Sequence, residues 1–235
     1  MAKLLRFRDL INEPGELSFL WEGIIPSQGF TYFVGPPKIG KSSLAIQLCD
    51  ALEAGETLLG RKTQKTRCLY VQADVGKAIW KDQVKRVSGK GESWTLIDVP
   101  TAALDYQEHM EVLQKCVEIS KPGFVVWDCL NKLTHRDINT KPIMLAITAL
   151  YTLCSETPFL LIHHPALEGR KGVASAAGYH GITAACDNYI NLRRNALVIE
   201  GGRVTKRQEI PVEQDEEGKW VLAGTGSDMD FEIDL

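Results

Sequence analysis

A glycine-containing segment near residue 40 has the residue types that hold a polyphosphate. From Gly35 to Ser42 it reads Gly-Pro-Pro-Lys-Ile-Gly-Lys-Ser, which matches the pattern G-x-x-x-x-G-K-[ST]. Glycine lets the backbone come close to phosphate groups, and the N–H groups at the start of a following helix face the anion. Lys41 would reach the β- and γ-phosphates, and the Ser42 hydroxyl would bind Mg²⁺.

The flanking sequence supplies the elements that this loop needs. The aromatic and β-branched run Phe30–Val34 predicts a buried strand. In Ser43–Leu52 the apolar residues recur at helical spacing, which predicts a helix. Strand, loop and helix in this order predict a P-loop that binds a nucleoside triphosphate. The predicted nucleotide-binding residues are Gly35, Pro36, Pro37, Lys38, Ile39, Gly40, Lys41, Ser42 and Ser43.

Two acidic residues follow further predicted strands. Asp128 closes the apolar run Phe124–Trp127, and an acid in that position binds Mg²⁺ in P-loop NTPases. We therefore predict a metal ligand at Asp128, with an ordinary turn residue as the alternative. Asp74 follows the run Cys68–Ala73 and would orient or deprotonate an attacking water. Its alternative role is the N-cap of a helix that begins near Lys77.

A pair of histidines, His163 and His164, follows the apolar run Phe159–Ile162. A neutral imidazole there could sense the γ-phosphate and pass its state to the next loop. A buried histidine that bonds a backbone carbonyl is the alternative, and the pair lacks the spaced partners of a zinc site. The loop that follows carries Arg170 and Lys171 among glycines, and these could contact DNA phosphates. A solvated loop is the alternative there.

Strands and helices alternate through most of the chain. Predicted strands at 68–72, 94–99, 123–128 and 159–163 alternate with helices at 77–87, 106–119 and 142–153. Such alternation predicts an α/β fold with a mainly parallel sheet and helices on both faces. From about residue 186, short strands split by turns predict a short antiparallel C-terminal extension. We expect a lead-in segment at 1–29, one domain at 30–222 and an acidic, disordered tail at 223–235.

Charge and composition limit the class of protein. The formal net charge is −3, and four acids lie in the last eight residues, so the remainder is near neutral and does not by itself indicate nucleic-acid binding. No apolar run approaches the ~20 residues of a membrane span, and the early charges do not match a signal peptide. The six scattered cysteines favour reduced thiols in a cytoplasmic protein.

These motifs together resemble the RecA-like ATPases, and within them the RepA-like hexameric replicative helicases of plasmids and phages. The resemblance covers about residues 20–222. The P-loop is similar to that group's G-P-P-K-x-G-K-S segment. Leu69–Asp74 resembles the family strand that ends in a catalytic glutamate, although the acid here is the shorter Asp. Asp128–Leu130 resembles the magnesium aspartate in an Asp-Pro-Leu setting, and Ile162–His164 resembles the strand-end histidine motif.

The resemblance implies a RecA-like fold, ATP hydrolysis with Mg²⁺, a homo-oligomer such as a hexameric ring, and action on single-stranded DNA. It makes His164 the counterpart of the family's sensor. In such rings an arginine of the neighbouring subunit contacts the γ-phosphate, and Arg203 is the first counterpart here, with Arg207 the second. A solvated strand-end arginine is the alternative for both. The chain departs from the family pattern where Pro165–Leu167 delays the basic residues after the histidine.

Three classes of function fit these observations. The first is a DNA-dependent ATPase, in particular a replicative helicase that moves on single strands. The second is a recombinase-like filament or loader that uses ATP as a switch without unwinding. The third, a small-molecule kinase, would need an arginine-rich lid, which the sequence does not offer. The acidic tail, Asp228–Leu235, could bind replication or recombination proteins or serve only as a solubilising end.

Overall fold

The strands and helices of the chain were located in a computed structural model. It describes residues 6, 8, 17–88, 94–137, 139–155, 157–164 and 180–224. The strands in this part of the chain are β1 (Phe19–Trp21), β2 (Ile25–Pro26), β3 (Phe30–Val34), β4 (Cys68–Gln72), β5 (Thr95–Asp98), β6 (Phe124–Asp128), β7 (Phe159–His163), β8 (Asn188–Arg193), β9 (Ala196–Gly202), β10 (Gln208–Gln214) and β11 (Trp220–Leu222).

Six α-helices and one short 3₁₀ turn connect these strands in the described residues. The helices are α1 (Lys41–Ala54), α2 (Lys77–Val87), α3 (Gln107–Ser120), α4 (Leu130–Leu133), α5 (Ile143–Cys154) and α6 (His180–Ala185). The 3₁₀ turn spans Ala103–Asp105. None of the described helices is long and apolar enough to cross a membrane.

Nine of the described strands form one sheet in the order β11-β10-β9-β8-β3-β7-β6-β4-β5. The six strands from β8 to β5 are mutually parallel. β3, β4, β6 and β7 are buried along their whole length, which explains why they appear in the sequence as continuous apolar runs. β9, β10 and β11 extend the sheet antiparallel. The predicted parallel sheet with an antiparallel extension is confirmed.

Helices cover both faces of this sheet, as predicted. On one face, α1 and α2 bury residues such as Leu48 and Trp80 against the sheet together with β1 and β2. On the other face, α3, α4 and α5 bury residues such as Leu113 and Ile147. Each helix therefore presents an apolar stripe to a sheet that is apolar on both sides, and the two cores hold the strand ends in fixed register.

The long elements agree with the sequence prediction, and the short ones were missed. The strands at 68–72 and 159–163 and the helix at 77–87 have the predicted bounds. β1, β2, α4 and β11 have two to four residues each, too few for a periodic pattern to identify them. The division into a lead-in and a central domain stays a prediction. Residues 225–235 of the predicted tail lie outside the described residues.

A buried asparagine links two segments of the fold that are distant in the sequence. Asn188, at the start of β8, has no exposed surface. Its side-chain amide donates a hydrogen bond to the carbonyl of Ile24, and its carbonyl oxygen accepts one from the hydroxyl of Thr205. The side chain thereby joins the segment before β3 to the segment after β9.

We expect Asn188→Ala to lower the free energy of unfolding by about 1–3 kcal/mol, because two buried polar groups lose their partner. Asn195→Ala, in the exposed β8–β9 turn, is the matched control and should change that free energy by less than about 0.5 kcal/mol. Urea denaturation followed by circular dichroism measures both values. An equal effect in the two variants would contradict the linking role of Asn188.

Candidate active site

Four neighbouring strands bring the predicted site residues to one edge of the sheet. β3, β7, β6 and β4 lie side by side and parallel. At their carboxyl ends lie the P-loop, His164, Asp128 and Asp74, respectively. In open α/β sheets this edge is where ligands bind. The sheet order thus brings together four sequence features that are up to 129 positions apart.

The P-loop has the backbone shape that its glycines allow. Gly40 adopts a left-handed conformation with φ of 100° and precedes the first residue of α1. A Cβ atom at Gly40 would lie 2.4 Å from Nε2 of Gln214, and one at Gly35 would lie 2.6 Å from the carbonyl oxygen of Leu192. No described side chain caps α1, so its first N–H groups can bind an anion.

Lys41 is buried, and all three hydrogens of its ammonium group are used. Nζ donates to the carbonyls of Gly35 and Pro36 and contacts Nδ1 of His164, each at 2.8 Å. Because an ammonium group only donates, Nδ1 of His164 accepts and its proton lies on Nε2. Burial lowers the pKa of Lys41 to about 8, against the opposing effect of Asp128, Cys129 and Asp74.

Asp128 is a buried carboxylate beside the P-loop. Its Oδ2 accepts a hydrogen bond from the hydroxyl of Tyr70 at 2.7 Å. Burial raises the pKa of Asp128, while the hydrogen bond from Tyr70 and the nearby hydroxyl of Ser42 lower it. These two hydroxyls therefore favour the ionised form, which a metal ligand requires.

The residues around Asp128 fit a magnesium ion. Oδ1 of Asp128 is buried and has no hydrogen-bond partner among the described residues. A carboxylate oxygen and the Ser42 hydroxyl are hard oxygen donors, the type that Mg²⁺ prefers. The structure thus places an unsatisfied carboxylate oxygen next to the helix start that would bind phosphates, so the predicted pair of metal ligands is chemically suitable.

Asp74 and His164 face each other across the strand ends. Nε2 of His164 lies 3.9 Å from Oδ2 of Asp74, and both side chains are about 30% exposed or less. The nearby imidazole of His164 lowers the pKa of Asp74 against the effect of burial, so the carboxylate is ionised at neutral pH. The N-cap of α2 is Gly76, without a side-chain cap, so Asp74 does not take the capping role.

A cleft of about 570 Å³ opens beside Lys41, Asp74 and His164. Its walls come from the P-loop, from the segment after β4, from α2 and from the β10–β11 hairpin. The lining residues are Pro37, Lys38, Gly40, Lys41, Ser42, Ser43, Asp74, Val75, Gln83, Arg86, His164, Gln214 and Gly218. This size is within the range of small-molecule sites in proteins.

The two predicted trans-acting arginines lie at the opposite edge of the sheet. The end of β9 pairs with the start of β8, so the residues after Gly202 lie away from the P-loop of the same chain. Arg203 donates to Oδ1 of Asp187 at 2.8 Å, and Arg207 approaches Glu200 at 3.7 Å. Their side chains are 66% and 73% exposed. Neither arginine can therefore serve the site of its own chain.

The predicted DNA contacts Arg170 and Lys171 lie outside the described residues.

Sequence reasoning missed three contributors to the site. Tyr70 could not have been found from the sequence, because its contact with Asp128 depends on the pairing of β4 with β6. The same holds for Trp220, since its Nε1 donates to the carbonyl of Gly40 across 180 positions of sequence. The thiol of Cys129 lies beside Asp74 and His164.

Comparison with known proteins identifies the family and the fold of the chain. The family model of an AAA domain, AAA_25, matches residues 1–170. The chain belongs to the AAA_25 family of AAA domains. This AAA domain is similar in fold to the structure "ATPase Domain of G40P", with a TM-score of 0.65 and 12% identity over 92% of this chain and 95% of that chain.

A second solved structure, "Crystal structure of the RadB recombinase", has a TM-score of 0.56 and 16% identity over 82% of this chain and 90% of that chain. No curated protein sequence matches this AAA domain significantly. The fold is that of a RecA-like P-loop ATPase, as the sequence predicted.

The lowered pKa of Lys41 predicts how nucleotide binding depends on pH. A polyphosphate near Lys41 favours the ammonium form, so binding above pH 8 takes up a proton. The affinity for ADP should then fall as the pH rises through about 8, by up to about tenfold per pH unit.

Titration calorimetry between neutral and alkaline pH, in buffers of different ionisation enthalpy, measures this proton uptake. Lys41→Arg is the control, because a guanidinium stays charged throughout and should remove the dependence. Binding of ADP to the wild-type chain without proton uptake on the alkaline side would contradict the assignment of Lys41.

Proposed function

We propose that this chain is a Mg²⁺-dependent ATPase that assembles as a homo-oligomer and acts on single-stranded DNA, in the manner of a replicative helicase. The observation that carries the proposal is the convergence of Lys41, Asp128, Asp74 and His164 at the carboxyl ends of four neighbouring strands, where three of them line the cleft and Asp128 is buried beside it. These four groups would serve four different roles on ATP: binding the phosphates, holding the metal, positioning water and sensing the γ-phosphate.

The chain's own groups suit hydrolysis of the γ-phosphate. In that reaction water attacks the γ-phosphorus, the bond to the β–γ bridging oxygen breaks, and ADP and phosphate leave. Asp74 is ionised at neutral pH and can accept a hydrogen bond from the attacking water. Its lowered pKa makes it a weak base, so its main contribution is to orient the water. Lys41 and the first N–H groups of α1 would stabilise the phosphate charge.

Magnesium would be held by Ser42 and Asp128, and when bound it would neutralise charge on the β- and γ-phosphates. The buried, unpartnered Oδ1 of Asp128 supports this role. The hydroxyl of Tyr70 would keep Oδ2 in place and so orient the carboxylate toward the P-loop.

His164 is placed to connect the nucleotide to the rest of the chain. It contacts Lys41 and faces Asp74, and it is the last described residue before the segment that carries Arg170 and Lys171. A γ-phosphate that draws the ammonium group of Lys41 toward itself would release Nδ1 of His164. That change in hydrogen bonding would be a direct route from phosphate loss to the segment with Arg170 and Lys171, which is the coupling that a DNA motor needs.

Assembly into an oligomer would complete the site from a second copy. Arg203 and Arg207 are exposed at the edge opposite to their own P-loop, where they are available to a neighbouring subunit. An arginine supplied in this way is worth about 10³–10⁵ in rate in P-loop enzymes that use one. The ion pair of Arg203 with Asp187 would have to exchange for the phosphate contact.

A recombinase-like filament or loader is the second candidate. The similarity in fold to the RadB recombinase favours it, because a RecA-like core serves either activity. The two candidates differ in what ATP hydrolysis produces. Strand displacement from a tailed duplex supports the helicase, and stable coating of single strands with ATP, without displacement, supports the filament.

ATP hydrolysis with and without saturating single-stranded DNA tests the proposal. We expect DNA to stimulate turnover in the wild-type chain and Lys41→Ala to abolish it. Asp74→Asn should lower kcat by about 10²–10⁴ while ADP affinity is retained, because water loses its orienting group. Asp98→Asn, an exposed acid at the end of the adjacent strand β5, is the matched control and should keep its activity. Turnover that is indifferent to DNA would contradict the proposed DNA motor.

Mixing two inactive variants tests the role of Arg203 in a neighbouring subunit. Arg203→Ala alone should lose at least about 10³ in kcat. An equal mixture of Lys41→Ala and Arg203→Ala subunits should regain about a quarter of the wild-type rate, because that share of interfaces combines both intact residues in a closed ring. Arg207→Ala replaces Arg203→Ala in a parallel mixture. No recovery in either mixture would show that neither arginine acts across the interface.

A further inference from the structure

Three side chains with nitrogen, sulfur and oxygen donors meet at the strand ends beside the cleft. Asp74 follows β4, Cys129 follows β6, and His164 follows β7. One potential ligand atom from each lies within 4.8 Å of the other two. Among the described residues this is the one group of three His, Cys, Asp or Glu side chains that is close enough to hold a metal ion.

This donor set differs in kind from the proposed magnesium ligands. Ser42 and Asp128 offer only hard oxygen atoms, which suit Mg²⁺. A thiolate, an imidazole and a carboxylate are the ligands of tetrahedral Zn²⁺ and Co²⁺, with a fourth position left for water. The histidine pair alone gave no zinc signal in the sequence, because its partners come from two other strands that lie 35 and 90 positions away.

We propose that Asp74, Cys129 and His164 form a site for a thiophilic divalent ion such as Zn²⁺, and that this ion inhibits the ATPase. The inhibitory part rests on the proposed function, because it requires Asp74 and His164 to act on ATP. The binding part rests on the side chains alone.

The geometry allows the three ligands to close around an ion. Metal–ligand bonds of about 2.0–2.3 Å place tetrahedral ligand atoms about 3.5 Å apart, so the side chains must move closer by about 1 Å. Asp74 and His164 are partly exposed and can make this movement. Cys129 is buried and fixed, and its Sγ donates to Oδ1 of Asn131 at 2.7 Å. The thiol proton passes to solvent when the ion binds.

The charges around Cys129 disfavour loss of its thiol proton but favour the binding of a dication. Burial, together with the charges of Asp128 and Asp74, raises the pKa of the Cys129 thiol, so the thiol is protonated in the absence of an ion. The same two carboxylates attract a dication to this place and compensate part of the energy needed to remove the proton.

Ion binding would also change the hydrogen bond of Lys41. His164 accepts from Lys41 at Nδ1, so its other nitrogen faces Asp74. If Nε2 binds a metal, the proton of the neutral ring moves to Nδ1, which can then no longer accept from the ammonium group. The ion would therefore release Lys41 while it occupies Asp74. Phosphate binding would persist, and water orientation would be lost.

Titration of the full chain with Co²⁺, in the absence of nucleotide, tests the site independently of any ATPase activity. We expect one ion per chain to produce visible d–d bands and a thiolate-to-cobalt charge-transfer band, both removed by Zn²⁺. Cys129→Ser should abolish the charge-transfer band, and His164→Gln should weaken Co²⁺ binding by at least about tenfold. Cys116→Ser, on the partly exposed face of α3, is the matched control and should keep the wild-type spectrum.

The absence of a charge-transfer band in the wild-type chain, or its retention in Cys129→Ser, would overturn the site. Circular dichroism verifies that each variant is folded, and His164→Gln provides a second test if Cys129→Ser does not fold.

Inhibition is measured separately, as kcat at fixed Mg²⁺ with increasing Zn²⁺. We expect Zn²⁺ to lower kcat without weakening ADP binding, and Cys129→Ser to lose this sensitivity. Equal inhibition of both chains would overturn the inhibitory role, whereas an inactive wild-type chain with an intact cobalt spectrum would refute only the ATPase.

Discussion

The buried ammonium group of Lys41 sets the condition that the rest of the site must meet. A cation can remain in a protein interior only when each of its donors has a partner, since desolvation otherwise exceeds any gain from packing. Two of the partners of Lys41 are P-loop carbonyls, and the third is His164 after β7. This third contact requires β3 and β7 to be neighbours, and the parallel register of the sheet provides that arrangement.

The same arrangement of strands also influences the charge states of the two carboxylates, Asp128 and Asp74. Asp128 lies deeper than Asp74 and depends on the Tyr70 hydroxyl for part of its stabilisation. Asp74 lies nearer to solvent and is ionised because His164 donates toward it. The two carboxylates thus differ in depth, and the difference suits the roles that we propose for them: the buried one for a cation, and the one that lines the cleft for a water molecule.

The sequence predicted the features that depend on local pattern. The P-loop is recognisable because its glycines, lysine and serine have fixed spacing, and the central strands because strands buried on both faces are continuously apolar. Asp74 and Asp128 followed from their place at strand ends. What the sequence could not provide are contacts between distant segments. Tyr70 resembles any core aromatic residue until β4 pairs with β6, and Cys129 resembles a buried thiol until β4 and β7 flank it. Short elements such as β11 have too few residues to produce a pattern at all.

The contact of Trp220 with the P-loop determines when, during folding, the cleft can form. The indole donates to the carbonyl of Gly40, and the side chain of Gln47 bonds both the N–H and the carbonyl of Trp220. The two segments are separated by 180 positions, so this wall of the cleft closes only after nearly the whole described chain has been synthesised. A ribosome-bound chain that already exposes the P-loop still lacks the β10–β11 hairpin. The cleft is therefore a late product of folding, and it is complete only when β11 has joined the sheet.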